Sequence, residues 1–163
     1  MMREILFRGK RKDNGEWIYG NYCGAEYLQS EGIEHLIIEI PKTGCSKQII
    51  LETVGQFTGL TDTNGKKIFE GDIVRYTDEE SYYPEEQCEF IGKIVFEIGA
   101  FGIATNDNIP IDLNCWCGND NFVSLWELYW NLSVEGEMLD MIEVIGNIHD
   151  NPELLKEGVN NDL

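Results

Sequence analysis

Cys115 and Cys117, two positions apart, are the most chemically suggestive pair in the chain. Thiolates at that spacing can ligate zinc, with Cys23, Cys45 or His149 available to complete a site. In an extended segment both side chains share one face, which permits ligation without requiring it. Structural zinc usually draws on two knuckles, each with its ligands roughly two to four residues apart. Only half of one knuckle is present, so buried or idle thiols are the preferred reading and no metal is expected. His35 lies inside an apolar run, where a hydrogen-bonded structural histidine is the default. A Cys–His nucleophile could be drawn with either His35 or His149, but nothing in the sequence selects a partner. No glycine loop leads to a phosphate-binding lysine, and no Gly-x-Gly-x-x-Gly occurs. With 30 carboxylates, pairing two of them for acid–base work is arbitrary. The expectation is a non-enzyme with no cofactor and no catalytic residue; a carboxylate- or Cys-based metal-dependent enzyme is the alternative.

Charge separates the chain into unlike halves. Residues 1–75 carry 10 basic and 11 acidic side chains; residues 76–163 carry 2 basic and 19 acidic. Such an acidic half repels phosphate backbones, so ordinary nucleic-acid binding is disfavoured. The basic cluster Arg8, Lys10, Arg11 and Lys12 is too small to reverse that and reads as a solvated strand end. Weak nucleic-acid binding through this edge, or mimicry of nucleic acid by the acidic half, are the charge-based alternatives. Five cysteines at irregular spacing leave one unpaired under any disulfide scheme, which suits reduced thiols in a cytoplasm. No run approaches the roughly 18 apolar residues of a membrane span, and the first residues lack a secretory apolar core.

Most segments read as short strands punctuated by turns. Residues 4–8 and the run from Trp17 flank Asp13-Asn14-Gly15, a hairpin signature. A strand over 35–40 stops at Pro41; 41–47 is a loop, and 48–60 a strand or strand pair bent at Gly55. Turns at 61–65 and at Glu70-Gly71-Asp72 enclose a short strand over 66–69, with the next strand starting at Ile73. Turns this close suit the bent strands of a small barrel. Gly71 supplies a backbone angle that a Cβ resists, and Asp72 binds nearby amides. Residues 78–89 hold six carboxylates, no cation and Pro84, and read as an exposed loop without calcium-ligand periodicity. A partner strand follows over 92–99. From 119, helical spacing of Phe122, Leu125, Trp126, Tyr129 and Trp130 predicts a helix of about 10–12 residues capped by Asp120 or Asn121. The stripe is read first as core. Its alternative is a partner-binding face of Trp116, Trp126, Tyr129 and Trp130. A strand over 141–148 precedes Asn151-Pro152-Glu153, the start of a terminal helix, and a fraying tail.

Several runs carry a family resemblance. They are Phe7-Arg8-Gly9-Lys10, Gly15-Glu16-Trp17 with Tyr19-Gly20, Thr53 to Leu60, and Asp62, Gly65 and Ile68 leading into Glu70-Gly71-Asp72-Ile73-Val74. The last is Glu143 to Ile148 with Asn151-Pro152-Glu153-Leu154. Together they resemble the YopX family of phage and prophage proteins, while 24–47 and 81–141 show no family pattern. The resemblance implies a phage or prophage product in the bacterial cytoplasm and an SH3-type β-barrel component. It implies no activity, so its motif residues, among them Trp17, Gly59, Gly65, Gly71, Asp72, Gly146, Asn147 and Pro152, read as fold specification.

The combined expectation is a mostly β (α+β) chain: an SH3-type small β-barrel with β-hairpin additions and one or two short C-terminal helices. Its organisation would run 1–77 (hairpin and first barrel strands), 78–91 (acidic loop), 92–150 (remaining strands with the aromatic segment) and 151–163 (terminal helix and tail). The expected function is protein interaction with a host or phage partner, without a membrane; the apolar content near the C-terminus is also compatible with a homo-oligomer.

Overall fold

The hairpin signature at Asp13-Asn14-Gly15 forms as its chemistry dictates. In the computed structural model, which describes residues 4–24, 35–39, 46–78, 88–105, 121–132 and 141–159, β1 (Phe7–Lys10) pairs antiparallel with β2 (Trp17–Gly24). Asn14 Oδ1 accepts from the Glu16 amide at 3.1 Å, and Gly15 takes φ +73°. Next come β3 (His35–Glu39), β4 (Ser46–Gln48) and β5 (Gly55–Thr61). Ser46 and Lys47, expected in a loop, extend β4 along β3. The bend expected at Gly55 falls earlier, in a 3-10 turn over Leu51–Thr53. There the Thr53 hydroxyl donates to the Ile50 carbonyl at 2.6 Å and accepts from the Lys10 amide at 2.8 Å.

The chain divides into two units, Met1–Gly59 and Leu60–Leu163, with the boundary inside β5. In the first unit the strands run β4-β3-β2-β1-β5; β6 (Lys67–Phe69) belongs to the second unit. Its core gathers Ile18, Ile37 and Ile49, with Phe7, Tyr22 and Val54 against them. His35 takes the structural role expected of it: its Nδ1 lies 2.7 Å from the Tyr22 hydroxyl, and the two rings are stacked.

The second unit is built on a sheet of order β10-β9-β8-β7-β11. These strands are β7 (Asp72–Asp78), β8 (Cys88–Glu97), β9 (Ala100–Ala104), β10 (Phe122–Ser124) and β11 (Ile142–Asn147). β8 begins four residues before the expected partner strand, so β7 and β8 pair as far as Asp78 and Cys88. Gly71, at φ +81°, turns the chain into β7 as expected, and Asp72 Oδ2 accepts from the Phe69 amide at 2.8 Å. Asp62 is nearly sealed from solvent, at 2% exposure. Its Oδ1 accepts from the Asn64 and Lys66 amides at 2.9 and 2.8 Å, and its Oδ2 from the Val144 amide of β11 at 3.0 Å. A bulge in β11 lies between Val144 and Gly146, and a Cβ at Gly146 would meet Leu154 Cδ1 at 2.8 Å. Asn147 Oδ1 accepts from the His149 and Asp150 amides at 3.0 Å, leading into a 3-10 helix over Pro152–Val159.

Both strand orders are linear among the described residues; neither returns to its first strand. The architecture is therefore two open antiparallel sheets where sequence reading expects a closed barrel. One reason is visible in the second unit. The chain passes from β10 straight into α1 (Leu125–Leu132), and Leu125 and Leu128 join the core of Val74, Tyr76, Ile94, Ile103 and Ile142. A helix thus contributes to enclosing that interior. Phe122, expected on the helix, is a strand residue opposite Ala104. The cap is Ser124 rather than Asp120 or Asn121. Its Oγ accepts from the Glu127 amide at 3.1 Å, and Glu127 Oε2 accepts from the Ser124 amide at 3.1 Å.

Candidate functional site

Alternation along β8 and β9 builds an apolar end on the second unit. Side chains two apart on a strand share a face, so Phe96 continues the face of Ile94, and Phe101 that of Ile103. Ile94 and Ile103 are cross-strand partners and fully in the core. One step further toward the turn, Phe96 pairs with Phe101, ring centroids 5.0 Å apart and edge to face. Phe101 packs against the core, but Phe96 is 53% exposed. The inward face of the hairpin therefore extends past the core it serves.

Two residues, Ile98 and Gly99, close this hairpin between the Glu97–Ala100 pair. Both have positive φ, +52° and +81°, the pattern of a two-residue type I′ turn. Asn-Gly is the usual solution, because asparagine tolerates the left-handed region. A β-branched residue there is a genuine outlier and costs about 1–3 kcal/mol. Burial does not repay that cost, since Ile98 is 84% exposed. Sequence reading ends a strand at Gly99 and misses the turn. The available signal was the strand-turn-strand pattern Phe96 to Phe101 around a glycine, obscured by isoleucine where turn chemistry calls for asparagine.

Register brings the start of α1 toward this end of the sheet. β10 runs antiparallel to β9 with Ser124 opposite Gly102, so its C-terminal end points toward the turn and α1 starts there. Trp126 is 65% exposed, which removes it from the core stripe and leaves the partner-face reading open for it. Tyr129 and Trp130 lie on α1, with their side chains outside the described set. Cys115, Trp116 and Cys117, and the loop positions 79–87, lie outside the described residues.

The second unit is strongly acidic, with five basic and 22 acidic side chains in Leu60–Leu163. Arg75 is engaged by Glu89 at 3.0 Å and Glu143 at 3.4 Å. In the first unit the basic cluster departs from a solvated strand end at Arg8, which is 6% exposed with its guanidinium 4.7 Å from the centre of the Trp17 ring. The Lys10 ammonium also lies over that ring, at 5.4 Å. Arg11 pairs with Asp13 and Glu16, and its hydrogen bond holds the Asp13 carboxyl below the usual carboxylate range. These contacts occupy Arg8, Lys10 and Arg11 structurally. Among the described residues, no group of three or more His, Cys, Asp and Glu is placed to hold a metal. The buried polar side chains Asp62, Asp72, Ser124 and Glu127 all bind backbone amides. Among the described residues, no helix is long and apolar enough to cross a membrane.

No curated protein matches the chain. A solved structure, the crystal structure of protein EF1440 from Enterococcus faecalis, is similar at 24% identity and a TM-score of 0.44, covering 94% of this chain and 99% of that one. Residues 6–156 match the family described as YopX protein.

Proposed function

The chain belongs to the YopX family, and from that premise we propose that it is a phage- or prophage-derived accessory protein acting as a non-enzymatic protein-interaction module. The contact feature is the β8–β9 hairpin tip. The observation that carries this reading is Ile98, which combines a strained backbone with 84% exposure. Strain kept at an exposed position, where asparagine would relieve it, is explained when the side chain is used in binding. Aromatic and large aliphatic anchors are also what interface hot spots require. The resemblance to phage and prophage proteins supports the setting. An SH3-type arrangement is retained only as the finer fold reading, motivated by the bent, closely spaced strands.

The test is affinity capture with the full chain from phage-bearing bacterial cells, beside Ile98→Asn and Trp126→Ala. Ile38→Ala, which alters an exposed apolar position in the first unit, is the control. A specific protein should be retained by the wild type and Ile38→Ala, and lost with Ile98→Asn while the fold is intact. Equal capture by all four proteins refutes the assignment.

A further inference from the structure

We infer that the hairpin tip seats in an apolar pocket of a partner protein whose rim is lined by lysine or arginine; this rests on the reading of the tip as the contact feature. Shape gives the first half of the description. A two-residue turn carrying Ile98, flanked by the half-exposed Phe96, is a narrow convex projection, and its complement is a pocket rather than a flat surface. Burying an exposed isoleucine and part of a phenylalanine supplies the apolar contact that strain at residue 98 holds ready.

Charge gives the second half. Glu97 is exposed between the two apolar side chains, within a unit of five basic and 22 acidic residues. Lys93, on the same strand, is an exposed cation, and Arg75 is already paired with Glu89 and Glu143. The unit as a whole carries a net charge of −17, so its field is negative on balance. It repels anionic lipid headgroups and nucleic-acid phosphates, and it opposes a second copy bringing the same charge. It attracts a basic rim, which steers encounter while the apolar tip holds the complex.

The experiment places a photo-crosslinking benzoyl-phenylalanine at position 98 of the full chain in phage-bearing cells. The crosslinked species is identified, and zero-length carbodiimide coupling is then mapped from Glu97. The adduct should be a protein crosslinked through an apolar segment, with Glu97 coupled to a nearby lysine or with arginine on the mapped rim. With that protein purified, association should slow roughly tenfold between low and moderate salt. Glu97→Lys should slow association several-fold, and Ile98→Asn should speed dissociation at least about tenfold. An adduct with lipid, with nucleic acid or with a second copy overturns the inference, and so does a mapped rim without cations or a salt-independent association rate. If the rim lacks cations but Ile98→Asn still speeds dissociation, the basic partner falls and the tip reading stands. If Ile98→Asn leaves dissociation unchanged, or no adduct forms, both fall.

Discussion

Replacing Asp62 should damage the second unit more than any exposed carboxylate could. The side chain is 2% exposed and accepts three backbone amides, those of Asn64, Lys66 and Val144. In Asp62→Ala the Val144 amide becomes a buried donor without this acceptor, at a cost of about 2 kcal/mol. The Asn64 and Lys66 amides lie in a turn whose residues are exposed, so water can replace part of what is lost, at about 0.5 kcal/mol each. The sum is about 3 kcal/mol. Asp62→Asn keeps one oxygen for the turn but turns an NH2 toward the Val144 N–H, so it should lose about 2 kcal/mol, less than alanine does. Urea unfolding measures both. With a slope of about 2 kcal/mol/M, the midpoint should fall by about 1.5 M for alanine and 1 M for asparagine, at unchanged slope. A loss below about 1 kcal/mol in Asp62→Ala, or a larger loss in Asp62→Asn, refutes the view that the carboxylate joins the turn to β11.

Ile98→Asn should gain about 1 kcal/mol by relieving the left-handed isoleucine, raising the thermal midpoint by a few degrees; a lower midpoint contradicts the strain. Ser124→Ala should cost about 1–2 kcal/mol through loss of the helix cap, seen as lowered stability with reduced helical circular dichroism. Asp13 should titrate below an ordinary aspartate, and Arg11→Gln should return it toward the usual range, as read by carboxyl-carbon NMR. Because the folded carboxyl is depressed, the pair's contribution is present above the ordinary carboxylate range and lost as pH falls through the folded value. An Asp13 titration unchanged by Arg11→Gln rules out the pairing as its cause.

Turn chemistry was the most legible layer of this sequence. Asp13-Asn14-Gly15, Asp62 to Gly65 and Gly71-Asp72 announce themselves because few residues tolerate their backbone angles or bind adjacent amides. What they could not announce is range. Asp62 reads locally as a turn former, yet one of its bonds reaches Val144 of β11. The aromatic segment misled for a related reason. Phe122 to Trp130 fits helical spacing, but Phe122, Val123 and Ser124 are taken up as a strand by pairing with Ala104, Ile103 and Gly102. The serine inside the run, with a glutamate three residues later, was the readable capping signal for a later start. At the hairpin tip the sequence pointed away from the turn, since isoleucine is among the last residues expected at positive φ.

The direct passage from β10 into α1 has a consequence for local opening. Ser124 is the last residue of the strand and also the cap of the helix, so no linker separates the two. Eight residues are too few for a helix to persist alone in water. α1 therefore holds its shape only while β10 stays on β9, and the two should open together as one cooperative unit. Amide hydrogens of the α1 interior should exchange at the free energy of that joint opening, without the graded fraying of an independent helix.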